Sequence, residues 1–217
     1  MDAYNLIAPP RYNISHELEK FKDDEDRQAI RWIDAKGNRQ TLSYKHLIEQ
    51  MNQYANALTS LGLNKGDRVL IMMPRVPEAY KVYLSCLKAG LVAIACSEML
   101  RASDLEYRMQ HAEAKAVIVY QGLTEEVDKI IHPNDAIKCK LIIGDDKDTW
   151  TRLDVLANKQ SSSFETADTS KDDAAFFSYT SGTTGKPKAA VHAHGWGYAH
   201  IRTASTKWLC VKEGDLV

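Results

Sequence analysis

The chain has 217 residues, of which 44% are hydrophobic and 26% are charged, and its formal net charge is −1. A chain of this length buries roughly 70% of the surface of its unfolded state, so it can form a core without disulfides or a structural metal. Nucleic-acid binding proteins need a surplus of Lys and Arg for their phosphate contacts, and this chain has none. We therefore expect no nucleic-acid partner.

Helix-like and strand-like patterns alternate from residue 41 to residue 145. Apolar residues recur at helical spacing over 44–61, and Gly62 follows where a helix C-terminal cap is favoured. A Lys-Gly-Asp turn then leads into 68–72, which predicts a short buried strand. Both elements are apolar on the sides that would face a sheet or its covering helices.

The same alternation continues after the first strand. Pro77 is tolerated at a first helical position, and the helix that it starts ends at Gly90. Strands that are apolar on both faces and separated by helices indicate an α/β fold, with a parallel sheet flanked by helices. The remaining predicted elements are the strand 91–95, a helix from a capping box of Ser103 and Glu106 to about 111, the strand 116–120, the helix 124–131 stopped by Pro133, and the strand 141–144.

Residues 158–173 are polar and rich in serine, which is typical of a surface connection. They suggest a division of the chain into four parts. These are an N-terminal extension over 1–40, a first α/β subdomain over 41–157, a linker over 158–173, and the start of a second subdomain over 174–217.

The next segment carries the candidate chemistry. A short apolar strand over 174–178 precedes Thr180–Lys188, whose sequence TSGTTGKPK contains four hydroxyl residues, two glycines and two lysines. Glycines let backbone N–H groups point inward together, hydroxyls add donors, and lysines supply positive charge, as a polyphosphate requires. Each hydrogen bond to a charged partner contributes roughly 1.5–3 kcal/mol.

Composition alone leaves a flexible turn between two strands as an alternative for this segment. Two common phosphate loops are excluded by spacing. Gly182 and Gly185 are too close for a Walker A loop, and Lys186 is followed by Pro187 instead of Ser or Thr. No GxGxxG fingerprint for a dinucleotide is present either. A nucleotide loop of another kind is needed.

Residues 177–188, FSYTSGTTGKPK, resemble the AMP-binding signature of the adenylate-forming superfamily at all twelve positions. That superfamily contains acyl-CoA synthetases, luciferases and peptide-synthetase adenylation domains. The similarity covers nearly the whole chain, and the PRVPE run, the Tyr-Arg pair and the opening Tyr-Asn are most similar to medium-chain and related short-chain acyl-CoA synthetases. The segments that carry it are 4–5, 42–47, 66–69, 73–78, 88–90 and 107–108.

The resemblance implies an enzyme that activates a fatty carboxylic acid as an acyl adenylate and transfers it to coenzyme A. It implies ATP, Mg²⁺ and coenzyme A as substrates or cofactors, and small molecules as the partners. Lys186 and Lys188 would supply charge; a solvated loop lysine and a loop-ordering residue remain the alternatives. The β- and γ-phosphates would be held by Thr180, Ser181, Gly182, Thr183, Thr184 and Gly185, with Pro187 completing the loop.

One position departs from the pattern, because many family members have Gly where this chain has Ala189. Ala would be strained there if positive φ were needed, but we expect no loss of function. The remaining family motifs, including the late catalytic lysine, are expected beyond Val217, so we assign no catalytic residue and no metal ligand. We read the chain as a truncated N-terminal part and expect it not to turn over alone.

Three histidines follow the loop: His192, His194 and His200. They could bind a metal, but no Cys or carboxylate lies in register with them, so we favour packing in a core or pocket. A helix is predicted over 195–209, with Trp196, Tyr198 and Trp208 as buried aromatic residues.

Four cysteines occur without a CxxC pair and predict free thiols in a reducing cytosol. Residues 1–5 lack the basic and apolar pattern of a signal peptide, and the longest apolar run, 91–96, is far shorter than the roughly 20 residues that span a bilayer. These features predict a cytoplasmic protein without a transmembrane segment. The cysteines are Cys86, Cys96, Cys139 and Cys210.

Two further functions stay open on the sequence. One is an adenylating ligase for an aromatic or amino acid, and the other is a non-catalytic nucleotide-binding module. Acyl-chain length and oligomeric state are not determined by any pattern in the chain.

Overall fold

The protein is represented by a computed structural model that describes residues 5–131, 137–180, 185–212 and 214–215. Within these residues the strands are β1 Gln28–Ile33, β2 Arg39–Ser43, β3 Arg68–Met72, β4 Val92–Cys96, β5 Ala116–Tyr120, β6 Cys139–Ile143, β7 Thr151–Arg152, β8 Ala174–Thr180 and β9 Lys188–Ala193. The α-helices are α1 His16–Glu19, α2 Tyr44–Ser60, α3 Pro77–Lys88, α4 Ala102–His111, α5 Thr124–Asp128, α6 Leu153–Ala157 and α7 His194–His200, and α7 continues into a π-helix over Ile201–Trp208.

The central sheet has the order β7-β6-β5-β3-β4-β8-β9 among the described residues. Strands from β7 to β8 are parallel to their neighbours, and only β9 pairs antiparallel, with β8. Helices α3, α4, α5 and α6 lie in the connections between successive strands from β3 to β8, as parallel strands require, except that β6 leads to β7 without a helix. The prediction of an α/β fold with a parallel sheet flanked by helices is confirmed, with β9 as an antiparallel edge.

Both faces of the sheet are buried. Val69 and Ile71 pack in a cluster with side chains of α2, α3 and α6. Leu70 and Met72, the alternate residues of the same strand, pack in a second cluster with α4 and α5. Successive strand side chains point to opposite faces, so a strand between two helical layers is apolar throughout. Each of these buried side chains stabilises the fold by roughly 1.5–3 kcal/mol.

Most predicted elements agree with the structure. The helix over 44–61 is α2, and Gly62, with φ of +83°, follows it in the conformation that glycine adopts most easily. The helix that begins at Pro77 is α3. Each of the predicted strands corresponds to β3, β4, β5, β6 or β8 with ends shifted by at most a few residues.

Two details of the helix predictions are wrong. The capping box of Ser103 and Glu106 is absent, because α4 begins at Ala102 and its N-cap residue is Arg101, whose side chain makes no capping bond. A distant carboxylate takes that role: the amide of Ala102 donates to Glu126 Oε2 at 2.7 Å. The helix predicted over 124–131 ends at Asp128, and Pro133 lies outside the described residues.

The segment over 158–173 has no regular secondary structure but follows a fixed path. The side-chain amide of Asn52 donates from Nδ2 to the carbonyl of Ser162 at 2.8 Å. The side-chain amide of Asn56 donates to the carbonyls of Ser161 and Ser163, both at 2.9 Å. The chain then enters β8, which pairs with β4 in the same sheet. The proposed division at 158–173 stays a prediction.

Residues before β3 add a β1–β2 hairpin that the sequence patterns did not predict. Trp32 of this hairpin donates from Nε1 to the carbonyl of Arg75 at 2.8 Å, which ties it to the end of β3. In the part of the chain that the structure covers, no helix combines the length and apolar character needed to cross a bilayer.

Candidate functional site

The candidate site lies where β8 turns back into β9. The two strands pair from Ala174 with Ala193 to Thr180 with Lys188, and β8 is parallel to β4. The connection after β8 therefore lies at the carboxyl edge of the parallel strands. Ligands of open α/β sheets bind at this edge.

Five of the nine predicted site residues belong to the described part of the chain. They are Thr180, Gly185, Lys186, Pro187 and Lys188, and they form the two ends of the connection. The other four, Ser181, Gly182, Thr183 and Thr184, lie outside the described residues. The inward-pointing donors predicted for them stay a prediction.

Gly185 adopts a conformation that favours glycine, with φ of +112°, and an added Cβ would meet no atom of the described residues within 4 Å. The backbone conformation by itself therefore favours glycine here. Ala189, the departure from the family pattern, is absent from the residues with positive φ and pairs with Tyr179 in the β8–β9 ladder. Ala at this position is consequently unstrained.

Lys186 and Lys188 are both exposed. Neither forms an ion pair with any side chain that the structure describes, so both ammonium groups are available to an anion. The Nζ atom of Lys186 lies 5.5 Å from the ring centroid of Tyr107. Such cation–π contacts at exposed sites contribute about 0.5–1 kcal/mol.

Helix α4 contacts both ends of the connection. The hydroxyl of Tyr107 donates to the carbonyl of Pro187 at 3.0 Å, and His111 Nδ1 lies 2.8 Å from the hydroxyl of Tyr179. The guanidinium of Arg108, a buried side chain, lies 5.2 Å from the ring centroid of Tyr179. Sequence reasoning used the Tyr-Arg pair only as a sign of resemblance and missed this role.

The environment of Tyr179 keeps its hydroxyl protonated. Burial raises the pKa of Tyr179, the neighbouring Tyr107 raises it further, and the positive charge of Arg108 lowers it. The net change is upward from an ordinary value near 10. A neutral phenol is therefore the partner of His111.

The three histidines after the loop do not converge. His194 is fully buried, and its Nδ1 accepts a hydrogen bond from the amide of Ile14 at 3.2 Å, which agrees with the packing role that was favoured. His192 and His200 each contact Trp196, with ring centroids 4.8 and 4.7 Å from its ring centroid. The described residues include no group of three or more His, Cys, Asp or Glu side chains that could hold a metal ion.

The prediction of buried aromatic residues in this helix is wrong. Trp196 is 47% exposed and Trp208 is 79% exposed, while Tyr198 is only half-buried. The helical period also changes, because residues 201–208 form a π-helix with i→i+5 hydrogen bonds. Residues spaced for an α-helix of 3.6 residues per turn therefore do not stay on one face of the helix through residues 201–208.

Comparison with known proteins identifies relatives over most of the chain. The family model described as AMP-binding enzyme matches residues 19–216. A Bacillus subtilis (strain 168) protein named uncharacterized acyl-CoA ligase YtcI is 47% identical over 98% of this chain and 40% of its own length. The human protein named acyl-coenzyme A synthetase ACSM2B, mitochondrial, is 32% identical over 86% of this chain and 34% of its own length.

Solved structures agree with this similarity. ATP-bound MatB from Rhodopseudomonas palustris matches with a TM-score of 0.69 and 30% identity, over 84% of this chain and 35% of that one. A benzoate CoA ligase from Burkholderia xenovorans LB400 matches with a TM-score of 0.78 and 25% identity, over 94% and 39%. The chain thus spans about two fifths or less of the length of the relatives it matches.

Proposed function

Because the chain belongs to the AMP-binding enzyme family, we propose that it forms the triphosphate-binding part of an ATP-dependent, AMP-forming acyl-CoA synthetase. The observation that carries this proposal is the β8–β9 hairpin. Its connection lies at the carboxyl edge of the sheet, and two exposed lysines, Lys186 and Lys188, which form no ion pair with a described side chain, belong to its returning side.

The whole protein would act in two steps. The carboxylate of the acid attacks the α-phosphorus of ATP, which forms an acyl adenylate and releases pyrophosphate. The thiol of coenzyme A then attacks the acyl carbonyl, and AMP leaves. Negative charge develops on the departing pyrophosphate in the first step, and positioned donors and cations at that point lower the barrier.

The residues of this chain would serve the first step. The backbone and hydroxyl groups of Thr180–Gly185 hold the β- and γ-phosphates, and Lys186 and Lys188 neutralise their charge. Residues 174–193 contain no Asp or Glu, so we assign no residue of the hairpin to Mg²⁺. Mg²⁺ and coenzyme A remain proposals for the whole protein.

For the acid we propose a fatty carboxylate. Support comes from the similarity to proteins named acyl-CoA ligase and acyl-coenzyme A synthetase, and from the medium-chain and short-chain features of the sequence. A cytoplasmic location, based on the free cysteines, also stays a prediction. The 217 residues alone are proposed not to turn over, since they span only 40% and 34% of those two relatives.

Calorimetry tests the phosphate site directly. ATP and pyrophosphate are titrated into the chain and into its Lys186→Ala and Lys36→Ala variants. A hydrogen bond to a charged partner contributes roughly 1.5–3 kcal/mol to the binding free energy. Its loss in Lys186→Ala should therefore weaken binding by about tenfold or more. Lys36 is an exposed lysine of the β1–β2 turn, and its replacement should change nothing.

Two results would contradict the proposal: no binding of either anion by the unaltered chain, or equal binding by the Lys186→Ala variant. Turnover is tested separately. Pyrophosphate exchange with ATP and octanoate on this chain alone should not exceed the blank.

A further inference from the structure

Helix α4 holds both described ends of the β8–β9 connection from one face. Tyr107 and His111 are four residues apart in this helix, so their side chains are neighbours. We propose that Tyr107 is a positioning residue, which fixes the lysine-bearing end of the connection and thereby sets the affinity of the site for a polyphosphate. The choice of a polyphosphate as the ligand rests on the proposed function, whereas the contacts of Tyr107 are independent of it.

The first contact is the hydrogen bond from the Tyr107 hydroxyl to the carbonyl of Pro187, which joins residues 80 positions apart at 3.0 Å. Pro187 lies next to the last pair of the β8–β9 ladder, Thr180 with Lys188. The bond therefore fixes a peptide unit just beyond the strand pairing. Lys186 directly precedes Pro187 in the chain.

The second contact holds the other end. His111 Nδ1 lies 2.8 Å from the Tyr179 hydroxyl, one residue before Thr180. The rings of Tyr107 and Tyr179 also meet edge to face, with centroids 6.5 Å apart and an interplanar angle of 79°. Tyr107 therefore touches Tyr179 in β8 and Pro187 just before β9, and its movement would disturb both ends of the connection.

The third contact concerns the charge. The ammonium of Lys186 lies 5.5 Å from the ring centroid of Tyr107, while the side chain stays exposed. A cation–π contact at an exposed site is weaker than a hydrogen bond between an ammonium and a phosphate oxygen. The ring of Tyr107 thus holds the ammonium of Lys186 close to α4. A bound anion can replace the ring as the partner of this ammonium.

Tyr107→Phe separates these contributions, because it removes the hydrogen bond to Pro187 and keeps the ring. The matched control is Tyr80→Phe, which alters an exposed tyrosine of α3. Two quantities are measured in the folded chain: amide hydrogen exchange at Lys188 and Ala189, the first residues of β9 in the ladder with β8, and the dissociation constant of inorganic pyrophosphate. Urea denaturation checks that the variants keep the stability of the unaltered chain.

For Tyr107→Phe we expect exchange at Lys188 and Ala189 to become about two- to tenfold faster and pyrophosphate binding to weaken by a similar factor. Tyr80→Phe should change neither quantity. A variant that also removes the ring, Tyr107→Leu, should weaken binding further, because Lys186 then loses its contact.

The outcomes separate this inference from the proposed function. Unchanged exchange in Tyr107→Phe overturns the positioning role, whatever the chain binds. Faster exchange with unchanged pyrophosphate affinity also overturns it, because the hydrogen bond would then be structural only. Faster exchange in a chain that binds no pyrophosphate supports the positioning of this end and overturns the proposed phosphate site.

Discussion

The buried imidazole of His194 accepts a hydrogen bond at Nδ1 from the backbone amide of Ile14, 3.2 Å away and 180 residues earlier in the chain. An Nδ1 that accepts must be unprotonated, so the neutral ring carries its hydrogen on Nε2. That Nε2 is buried and has no partner among the described residues. A proton added to Nδ1 would place its N–H group opposite the N–H donor of Ile14, and the hydrogen bond would be lost.

Protonation of His194 is therefore linked to stability. Burial lowers the pKa of His194 to about 4; the carboxylate of Asp173 opposes the change, and Lys65 and His16 add to it. The unfolded chain binds this proton near pH 6.5 and the folded chain only near pH 4. The stabilisation is complete above pH 6.5 and is lost as the pH falls from 6.5 to 4, by at most about 3 kcal/mol.

His194→Asn tests this linkage, since an Asn side-chain oxygen can accept from Ile14 without titrating. Urea denaturation at pH 7.5 and pH 4.5 should show a clearly smaller loss of stability in this variant than in the unaltered chain. His46→Asn, at an exposed histidine of α2, serves as the control and should retain the full loss. Equal losses in all three proteins would refute the link.

Gly197 provides a second test of the same junction. A Cβ at Gly197 would lie 1.9 Å from Cδ1 and 2.6 Å from Cγ1 of Ile14, so Gly197→Ala forces the Ile14 side chain to move. Overpacking of this kind costs about 1–3 kcal/mol, which exceeds the gain of about 1 kcal/mol from replacing glycine in a helix. We expect Gly197→Ala to lower the free energy of unfolding in urea denaturation.

The double variant decides whether the contact is the cause. In an Ile14→Ala background the space for a Cβ exists, so Gly197→Ala should be neutral or stabilising by up to about 1 kcal/mol. The interaction energy from the four proteins should then differ from zero by more than 0.5 kcal/mol, as expected for residues in contact. Additive effects would show that Ile14 does not restrict this position.

Local patterns were sufficient for much of the fold. The helix over 44–61 and the strand over 68–72 were predictable because helical spacing, an apolar run and glycine at the ends are all properties of neighbouring residues. The position of β8 beside β4 was not, since strand pairing across some 80 residues leaves no local pattern. The capping of Ala102 by Glu126 could not be predicted for the same reason, because the two residues are far apart in sequence.

The candidate site shows the same limit. Glycine, hydroxyl and lysine content singled out Thr180–Lys188 without any tertiary information. The spacing of Tyr107 and His111 in a helix puts them on one face, but no pattern in the sequence indicates which residues that face contacts. Their contacts to Pro187 and Tyr179 became visible only in the folded chain.

A substitution at Thr149 should stabilise the fold. It is an exposed, β-branched residue with φ of +68°, and such a residue costs roughly 1–2 kcal/mol in the left-handed region. Its hydroxyl also pairs with Lys140 Nζ at 3.1 Å. Thr149→Asn keeps an acceptor and tolerates positive φ, so it should raise the free energy of unfolding by about 1 kcal/mol in urea denaturation.

The control for this change is Thr151→Asn, in the exposed first residue of β7. Thr151 has no positive φ to relieve, and Asn is less favourable than Thr in strands. Thr151→Asn should therefore leave stability unchanged or reduce it. A stability gain at Thr151 equal to that at Thr149 would show that backbone strain is not responsible.

The four cysteines should differ sharply in their reaction with a thiol reagent. Burial raises the pKa of Cys86 and of Cys96 to about 12, and that of Cys139 to about 11, whereas Cys210 is exposed. Because the thiolate is the nucleophile, a pKa near 12 reduces the reactive fraction at pH 8 by roughly a thousandfold relative to a free thiol.

At pH 8 the folded chain should release one equivalent of chromophore rapidly from an aromatic disulfide reagent, and the remaining thiols should react only slowly or after denaturation in guanidinium. Cys210→Ser should abolish the rapid phase, while Cys139→Ser should preserve it. Two rapid equivalents in the folded chain, or a rapid phase that persists in Cys210→Ser, would mean that Cys86, Cys96 or Cys139 is accessible to the reagent. The expected protection of that thiol by burial would then be refuted.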